Sequence, residues 1–362
     1  MRILVADDQP GVLEAAKLLL KSDGHTARTA ESPRAVLDLA AVEPFDLILM
    51  DLNYARDTTS GQEGLDLLAG LRGAGIDTPV VVMTAWGTVD IAVEAMRRGA
   101  CDFVQKPWDN ARLLETIHKQ IDRARASRSD IDIARTVQAK LLPRNGPPAQ
   151  GLDYAARCVP ARGIGGDYYD WFDLGGGQVG FVLADVSGKG MAAALLMAHL
   201  HAAFRTRLSI GYSDAPSLVA AVNRQFWEAS PPEHYATLFF ARYDPQSCRL
   251  HYVNAGHMPG LVIRQNGDVE RLEATSMPVG VFTSWTSEER TFALRPADTV
   301  VLYSDGISEA GMYHREEFGE QRIVRSAIGR SAADIVENLC ARVAAYSAEQ
   351  HDDCTVLALR CA

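Results

Sequence analysis

The sequence predicts two folded units joined by a long helix: an α/β doubly wound, parallel five-stranded domain, then an α+β sandwich of two β-sheets flanked by helices. Three observations lead there. Residues 2 to about 123 alternate short apolar runs with amphipathic helical patterns. From about Leu113 to Leu142 the pattern stays helical with neither Gly nor Pro. Beyond Pro148, longer β-rich stretches are separated by paired helical patterns. At about 150 residues per domain, 362 residues hold two or three domains, each long enough to bury its own core.

In the first part, Ile3–Ala6, Leu47–Met50, Val80–Met83 and Phe103–Gln105 read as strands. Gly11–Lys21, Arg34–Ala41, Leu65–Arg72, Asp90–Arg98 and Asn110–Arg123 carry apolar residues at spacings of three and four, as amphipathic helices do. Such βαβα order implies a parallel sheet covered on both faces, with ligands at the carboxyl ends of its strands. The long helical pattern stops at Leu141-Leu142-Pro143, where proline cannot continue a helix. One register aligns Leu113, Ile117, Gln120, Ala124, Ser127, Ile131, Ala134, Gln138 and Leu141; several are small or polar, so a dimer seam and a solvated linker stay equally open. In the last part, Val179–Asp185, Ala236–Tyr243, Arg249–Asn254 and Thr299–Ser304 read as strands, and Gly190–Arg207, Ser217–Ala229 and Ala332–Ser347 as helices. The expected domains are residues 1–123, a helical linker over 124–148 with possible coiled-coil pairing, and 149–362.

A net charge of −10 makes the whole-molecule field repel nucleic acid and acidic membranes. No apolar run approaches the roughly 18 residues of a membrane span, and the acids at Asp7 and Asp8 interrupt any secretory leader, so a cytoplasmic protein is expected. Six scattered cysteines without a C-x-x-C pair read as reduced thiols rather than a disulfide frame or zinc site.

Asp7 and Asp8 end the first strand, Asp51 the third and Thr84 the fourth, and the fifth leads into Lys106, so five polar groups converge on one rim of the sheet. Three crowded carboxylates repel one another unless a divalent cation lies between them, and hard oxygen ligands suit Mg²⁺. With that charge neutralised, Asp51 can attack a phosphoryl group while Lys106 and the Thr84 hydroxyl bind its oxygens. Any one of these residues alone reads as a turn or surface residue; the combination does not. Met1 to about Arg123 resembles the receiver domain of two-component response regulators. The resemblance implies phosphorylation of Asp51 by a sensor histidine kinase, Mg²⁺ held by Asp7, Asp8, Asp51 and the Asn53 carbonyl, and a switch pair of Thr84 and Phe103. The loop from Leu52 to Gly64 is longer than the usual family version.

Four acidic motifs mark the second half: Gly165-Gly166-Asp167-Tyr168-Tyr169-Asp170, Ala184-Asp185-Val186-Ser187-Gly188-Lys189-Gly190, Tyr303-Ser304-Asp305-Gly306 and His351-Asp352-Asp353-Cys354-Thr355. Carboxylates at strand ends beside Gly suit a shared hard-metal cluster, and two Mg²⁺ or Mn²⁺ ions held there can activate water for attack on phosphorus. Singly, such motifs are common turns. Together, with Ala134–Pro143 upstream and Asn254–Pro259 between them, they resemble the metal-dependent PPM serine/threonine phosphatases, SpoIIE-like bacterial branch, over roughly Leu152 to Arg360. The resemblance implies metal ligation by Asp167, by Asp185 bridging both ions with the Val186 carbonyl, by Asp305, and by Asp352 in preference to Asp353. Arg162 could fork onto substrate phosphate, although a surface arginine is an equal reading. His199 and His201 point to different helix faces and make no ligand pair; His257 reads as a loop-structuring residue.

The leading expectation is an enzyme: a response regulator whose output is dephosphorylation of phosphoserine or phosphothreonine on a partner protein, by resemblance an anti-sigma factor antagonist, plausibly within a homodimer. The alternative is a phosphatase-like adaptor that binds a regulatory protein under receiver control. A cyclic-dinucleotide synthase would need another acid after Gly165-Gly166-Asp167, where Tyr168 stands, and no basic recognition helix follows the receiver-like part.

Overall fold

The computed structural model describes residues 1–54, 61–84, 89–312, 316–347 and 350–362, with residues 89 and 90 by their backbone alone. The chain divides into two compact units, Met1–Asp130 and Ile131–Ala362.

The first unit runs β1 (Arg2–Ala6), α1 (Pro10–Ser22), β2 (Thr26–Ala30), α2 (Pro33–Val42), β3 (Leu47–Asp51), α3 (Gln62–Gly73), β4 (Val80–Thr84), α4 (Val89–Arg97), β5 (Asp102–Gln105) and α5 (Asn110–Leu141). The sheet is parallel in the order β2-β1-β3-β4-β5. Alternate residues feed its two faces: Ile3 and Val5 pack with Leu13, Leu20, Leu113 and Ile117 of α1 and α5, while Leu4 and Ala6 pack with Val36, Leu68 and Ala95 of α2 to α4. Edge strand β2 lacks an apolar run because Ala30 is its one fully buried residue. Ser32 caps α2 by accepting the Ala35 N–H.

Helix α5 is continuous over 32 residues, about 48 Å at 1.5 Å per residue. The seam read along it is divided. Leu113, Ile117 and Gln120 are buried in the first unit, Gln120 donating to Asp102 at 2.8 Å. Gln138 and Leu141 pack within the second unit. Of that register, Ala124, Ser127, Ile131 and Ala134 lie outside both cores.

The second unit continues β6 (Leu152–Val159), β7 (Tyr168–Gly175), β8 (Gln178–Val186), α6 (Met191–Ile210), α7 (Ala215–Ala229), β9 (Ala236–Asp244), β10 (Arg249–Ala255), β11 (Gly260–Ile263), β12 (Val269–Leu272), β13 (Arg290–Ala293), β14 (Thr299–Tyr303), α8 (Asp305–Ser308), α9 (Gly319–Ala327), α10 (Ala332–Tyr346) and β15 (Cys354–Cys361). Two antiparallel sheets, β13-β10-β9-β8-β7 and β12-β11-β14-β15-β6, stack through Phe181, Phe239, Leu302 and Leu357. Helices α6 and α7 cover the outer face of the first, and α9 and α10 that of the second. The result is a four-layer αββα sandwich. The six cysteines are free, and among the described residues no helix is long and apolar enough to cross a membrane.

Strand β7 contains a fully buried acid, Asp170, which the apolar pattern did not mark. Arg205 of α6 grips it through Nε at 2.8 Å and Nη2 at 2.5 Å, and the Tyr168 hydroxyl and Trp171 N–H each donate to it at 2.9 Å. Arg205→Ala strands that buried charge, and the expected loss is about 3 kcal/mol in denaturant unfolding followed by fluorescence. A loss under about 1 kcal/mol would show that solvent and the remaining donors neutralise Asp170 without Arg205.

Candidate functional site

The parallel register builds the first site. Ala6 lies beside Met50, so the next residues, Asp7 and Asp51, leave adjacent strands together; Thr84 lies beside Gln105, and the Lys106 N–H donates to the Thr84 carbonyl at 2.7 Å. Lys106 Nζ reaches Asp7 Oδ2 at 2.5 Å and Asp51 Oδ2 at 2.8 Å. Ligand oxygens of Asp7, Asp8 and Asp51 all lie within 4.8 Å of one another. Among the described residues, one lysine reaches two of these three carboxylates. Burial raises the Asp51 pKa, and Lys106 opposes the shift. Asn53 Oδ1 is buried without a hydrogen-bond partner beside this rim. An oxygen-rich, under-neutralised pocket of this kind fits a hard divalent cation. Thr84 is buried, whereas Phe103 of β5 is 45% exposed. Residues 55–60 of the long loop between Leu52 and Gly64 fall outside the described residues.

The second site lies where strands of both sheets end. Tyr168 pairs with Ala184, which puts Asp167 opposite Asp185 one step on, and the Val186 N–H meets the Gly166 carbonyl there. Tyr303 pairs with Val356, and the Ser304 N–H donates to the Thr355 carbonyl, so Asp305 and Asp352 leave neighbouring ends of β14 and β15. Asp167, Asp185, Asp305 and Asp352 act on one another through their charges, although their oxygens do not all gather within the 4.8 Å that marks the first site. Burial, then Asp305 and Asp352, pushes the Asp185 carboxyl up to about 8; burial and Asp185 push Asp167 well up, and burial and Asp352 raise Asp305. Asp167 Oδ2 is buried with no hydrogen-bond partner. Lys189 Nζ, 2.7 Å from Asp352 Oδ2, also lowers the Asp185 and Asp305 values, but one lysine leaves most of the negative charge unmatched. Divalent cations fit this donor set as they fit the first.

Asp352 and Asp353 have different surroundings. Both Asp353 oxygens are occupied by backbone: Oδ1 accepts from Ala161 at 2.9 Å, and Oδ2 from Gly166 at 2.8 Å and Asp167 at 3.4 Å. A Cβ on Gly165 would stand 1.8 Å from Asp353 Oδ2, and one on Gly306 2.1 Å from the Asp353 carbonyl oxygen, so both glycines permit that approach. Asp353 therefore straps the Asp167 turn to β15, and the Asp352 carboxylate stays beside Lys189. Gln138 of α5 pins the same turn, donating to the Gly165 carbonyl at 2.8 Å and accepting its N–H at 3.1 Å. Neither contact shows in local sequence, since each joins residues distant along the chain. Arg162 is exposed on the turn next to Ala161. His199 bonds the Gln225 carbonyl, and His201 stacks edge-on against Tyr168. His257 is buried on Thr237 at 2.8 Å, its pKa lowered by burial to about 4, so it is neutral near pH 7. A cavity of about 390 Å³ opens beside Asp352 and Lys189, lined also by Glu309, Met312, Cys340 and Ala344.

Residues 175–362 match the model of the family described as Stage II sporulation protein E (SpoIIE), more than half of the chain. The chain belongs to the SpoIIE family. Residues 3–118 match the response regulator receiver domain. This SpoIIE-family chain thus carries a receiver domain followed by a PPM-type serine/threonine phosphatase domain. It is 30% identical over 239 residues to the phosphoserine phosphatase RsbU of Bacillus subtilis, covering 64% of this chain and 70% of that one. Protein IcfG of Synechocystis is 26% identical, over 68% of this chain and 44% of its own. Among solved structures, the RsbU and RsbW domains of Rv1364c from Mycobacterium tuberculosis superpose with a TM-score of 0.52 at 26% identity, over 61% of this chain and 63% of that one. The SiaA-PP2C domain of Pseudomonas aeruginosa shares the fold, with a TM-score of 0.57 at 18% identity, over 66% of this chain and 98% of that one.

The raised Asp185 value makes a stability prediction. A carboxyl that holds its proton more tightly when folded contributes stability that is complete below its unfolded pKa, near 3.8, and lost as pH rises through its folded pKa, about 8. In chelator, the melting temperature of the second unit should fall between about pH 4 and pH 8, and Asp185→Asn should flatten the slope. An identical slope in Asp185→Asn would contradict the assignment.

Proposed function

We propose that this chain is a phosphorylation-controlled protein phosphatase: Asp51 accepts a phosphoryl group from a histidine kinase, and the second unit hydrolyses phosphoserine or phosphothreonine on a partner protein. The observation that carries the reading is the presence in one chain of two strand-end acid clusters, in each of which, among the described residues, one lysine stands against several carboxylates. Similarity to a protein named phosphoserine phosphatase supports the substrate class, and an anti-sigma factor antagonist is the proposed partner.

In the receiver, an Asp51 oxygen would attack phosphorus as the bond to the donor histidine nitrogen breaks. Lys106, already on Asp51, would hold an oxygen of the arriving group, and the Thr84 hydroxyl stands on the neighbouring strand to take another. Asp7, Asp8, Asp51 and the Asn53 carbonyl would hold Mg²⁺; in the phosphatase, Asp167, Asp185, the Val186 carbonyl, Asp305 and Asp352 would hold two Mn²⁺ or Mg²⁺ ions. Bound there, such ions supply charge neutralisation and, in the phosphatase, a water of lowered pKa aimed at phosphorus. Asp353 and Gln138 fix the Asp167 turn and so position its carboxylate. Arg162 is the exposed cation proposed to meet substrate phosphate. Helix α5, continuous from Asn110 to Leu141, is the proposed route of control, because a helix transmits displacement where a glycine-rich tether does not.

Asp51→Asn should abolish acid-labile phosphoryl uptake from a small-molecule donor with Mg²⁺ while leaving hydrolysis of a phosphoserine peptide measurable. Asp185→Asn and Asp305→Asn should do the reverse, lowering peptide turnover about 100-fold or more with receiver labelling intact. Undiminished labelling of Asp51→Asn would reassign the acceptor. Full turnover by Asp185→Asn would remove the acid cluster from the chemistry.

A further inference from the structure

The first unit contains a third cluster, separate from the Asp51 rim. Asp23 follows α1, His25 precedes β2, and His118 projects from α5. Their three donor atoms converge: His25 Nε2 lies 3.1 Å from His118 Nε2 and 3.0 Å from Asp23 Oδ2, and His118 Nε2 lies 2.7 Å from the same oxygen. The two imidazole rings stand edge to face at 86°. The His25 side chain is 7% exposed. Asp23 Oδ2 is buried and, despite the two nearby nitrogens, receives no aligned hydrogen bond.

Protons alone satisfy this arrangement poorly. A neutral imidazole has one N–H, so a single Nε2 proton in this triangle either serves Asp23 Oδ2 and the facing Nε2 lone pair at once or is shared between the rings and leaves Asp23 Oδ2 unpaired. Burial lowers the His25 pKa, which favours the neutral ring and its lone pair. Three lone-pair atoms pointing at one another are instead what a metal ion needs. Around a tetrahedral ion with ligand bonds of about 2.0–2.1 Å, ligand atoms stand about 3.3 Å apart, so a few tenths of an ångström of spreading would admit one.

We propose that Asp23, His25 and His118 bind a divalent transition-metal ion of the zinc class, clipping the α1–β2 turn to α5. Two imidazoles with one carboxylate suit Zn²⁺, Co²⁺ or Ni²⁺ and discriminate against Mg²⁺, which prefers oxygen alone. The site therefore differs in ion from the all-carboxylate rim in the same unit. Water would complete the coordination shell.

Cobalt is the probe. The full chain, stripped of metal and returned to excess Mg²⁺ to fill the carboxylate sites, is titrated with Co²⁺ while visible d–d absorption is recorded, and melting is then measured with Zn²⁺. The expected result is one saturable equivalent of Co²⁺, displaced by Zn²⁺, and a Zn²⁺-dependent rise in melting temperature. His25→Gln and His118→Gln should weaken binding at least as much as the about 10- to 100-fold cost of losing an outer-shell partner. Because His25 is buried, His118→Gln, whose side chain is 43% exposed, carries the test if the His25 variant misfolds. Asp185→Asn should retain the signal. Absence of saturable Co²⁺ binding to the unsubstituted chain, or an unchanged spectrum and affinity in folded His118→Gln, would overturn the proposal.

Discussion

Like-charge crowding at strand ends is the constraint around which both functional sites are arranged. Asp7 and Asp51 share Lys106, and Asp8 stands beside them. Asp167, Asp185, Asp305 and Asp352 have Lys189 as a nearby cation. Taking carboxylates out of water without enough countercharge is costly, and the chain meets that cost locally by raising proton affinity, to about 8 at Asp185. The same unmatched charge is what makes these donor sets fit divalent cations, so the electrostatically least favourable feature of the fold is also the one that suits a metal ion. The sandwich core and the receiver sheet serve to hold those strand ends in register.

The supports of the acid cluster are built from backbone contacts. Asp353 spends both oxygens on amides at Ala161, Gly166 and Asp167, and Gln138 closes on Gly165 from α5. A carboxylate left beside Lys189 and a carboxylate committed to backbone amides thus sit side by side at Asp352 and Asp353. Gly165 and Gly306 make the strap possible, since a Cβ at either would overlap Asp353. One end of α5 packs under the receiver through Leu113 and Ile117 and the other touches the Asp167 turn, so a single helix contains contacts of both units.

Much of this was legible in sequence, for physical reasons. A polar residue that ends a fully apolar run marks a strand end, which is why Asp51, Thr84, Asp185 and Asp305 could be located. Strand β2 gave no such signal, because an edge strand with Arg28 and Thr29 outward has one fully buried residue, Ala30. Asp170 was unreadable as a core residue until Arg205, 35 positions away, was seen to neutralise it. The heptad-like register along α5 suggested one continuous seam, but its ends are consumed by two separate cores. His199 and His201, close in sequence, face different neighbours as their helical spacing implies, whereas His25 and His118 meet across 93 positions. Periodicity and strand ends are local properties; pairings of this kind appear only when the chain is folded.

The central claim is that unmatched carboxylates at two sets of strand ends make two independent divalent-cation sites. Counting Mn²⁺ bound by the full chain in equilibrium dialysis, beside Asp7→Asn and Asp185→Asn, tests it most directly. The account predicts that Asp7→Asn loses only the one ion of the receiver rim, that Asp185→Asn loses only the pair held by the phosphatase cluster, and that the double variant loses all three. Unchanged stoichiometry and affinity in both single variants would contradict it.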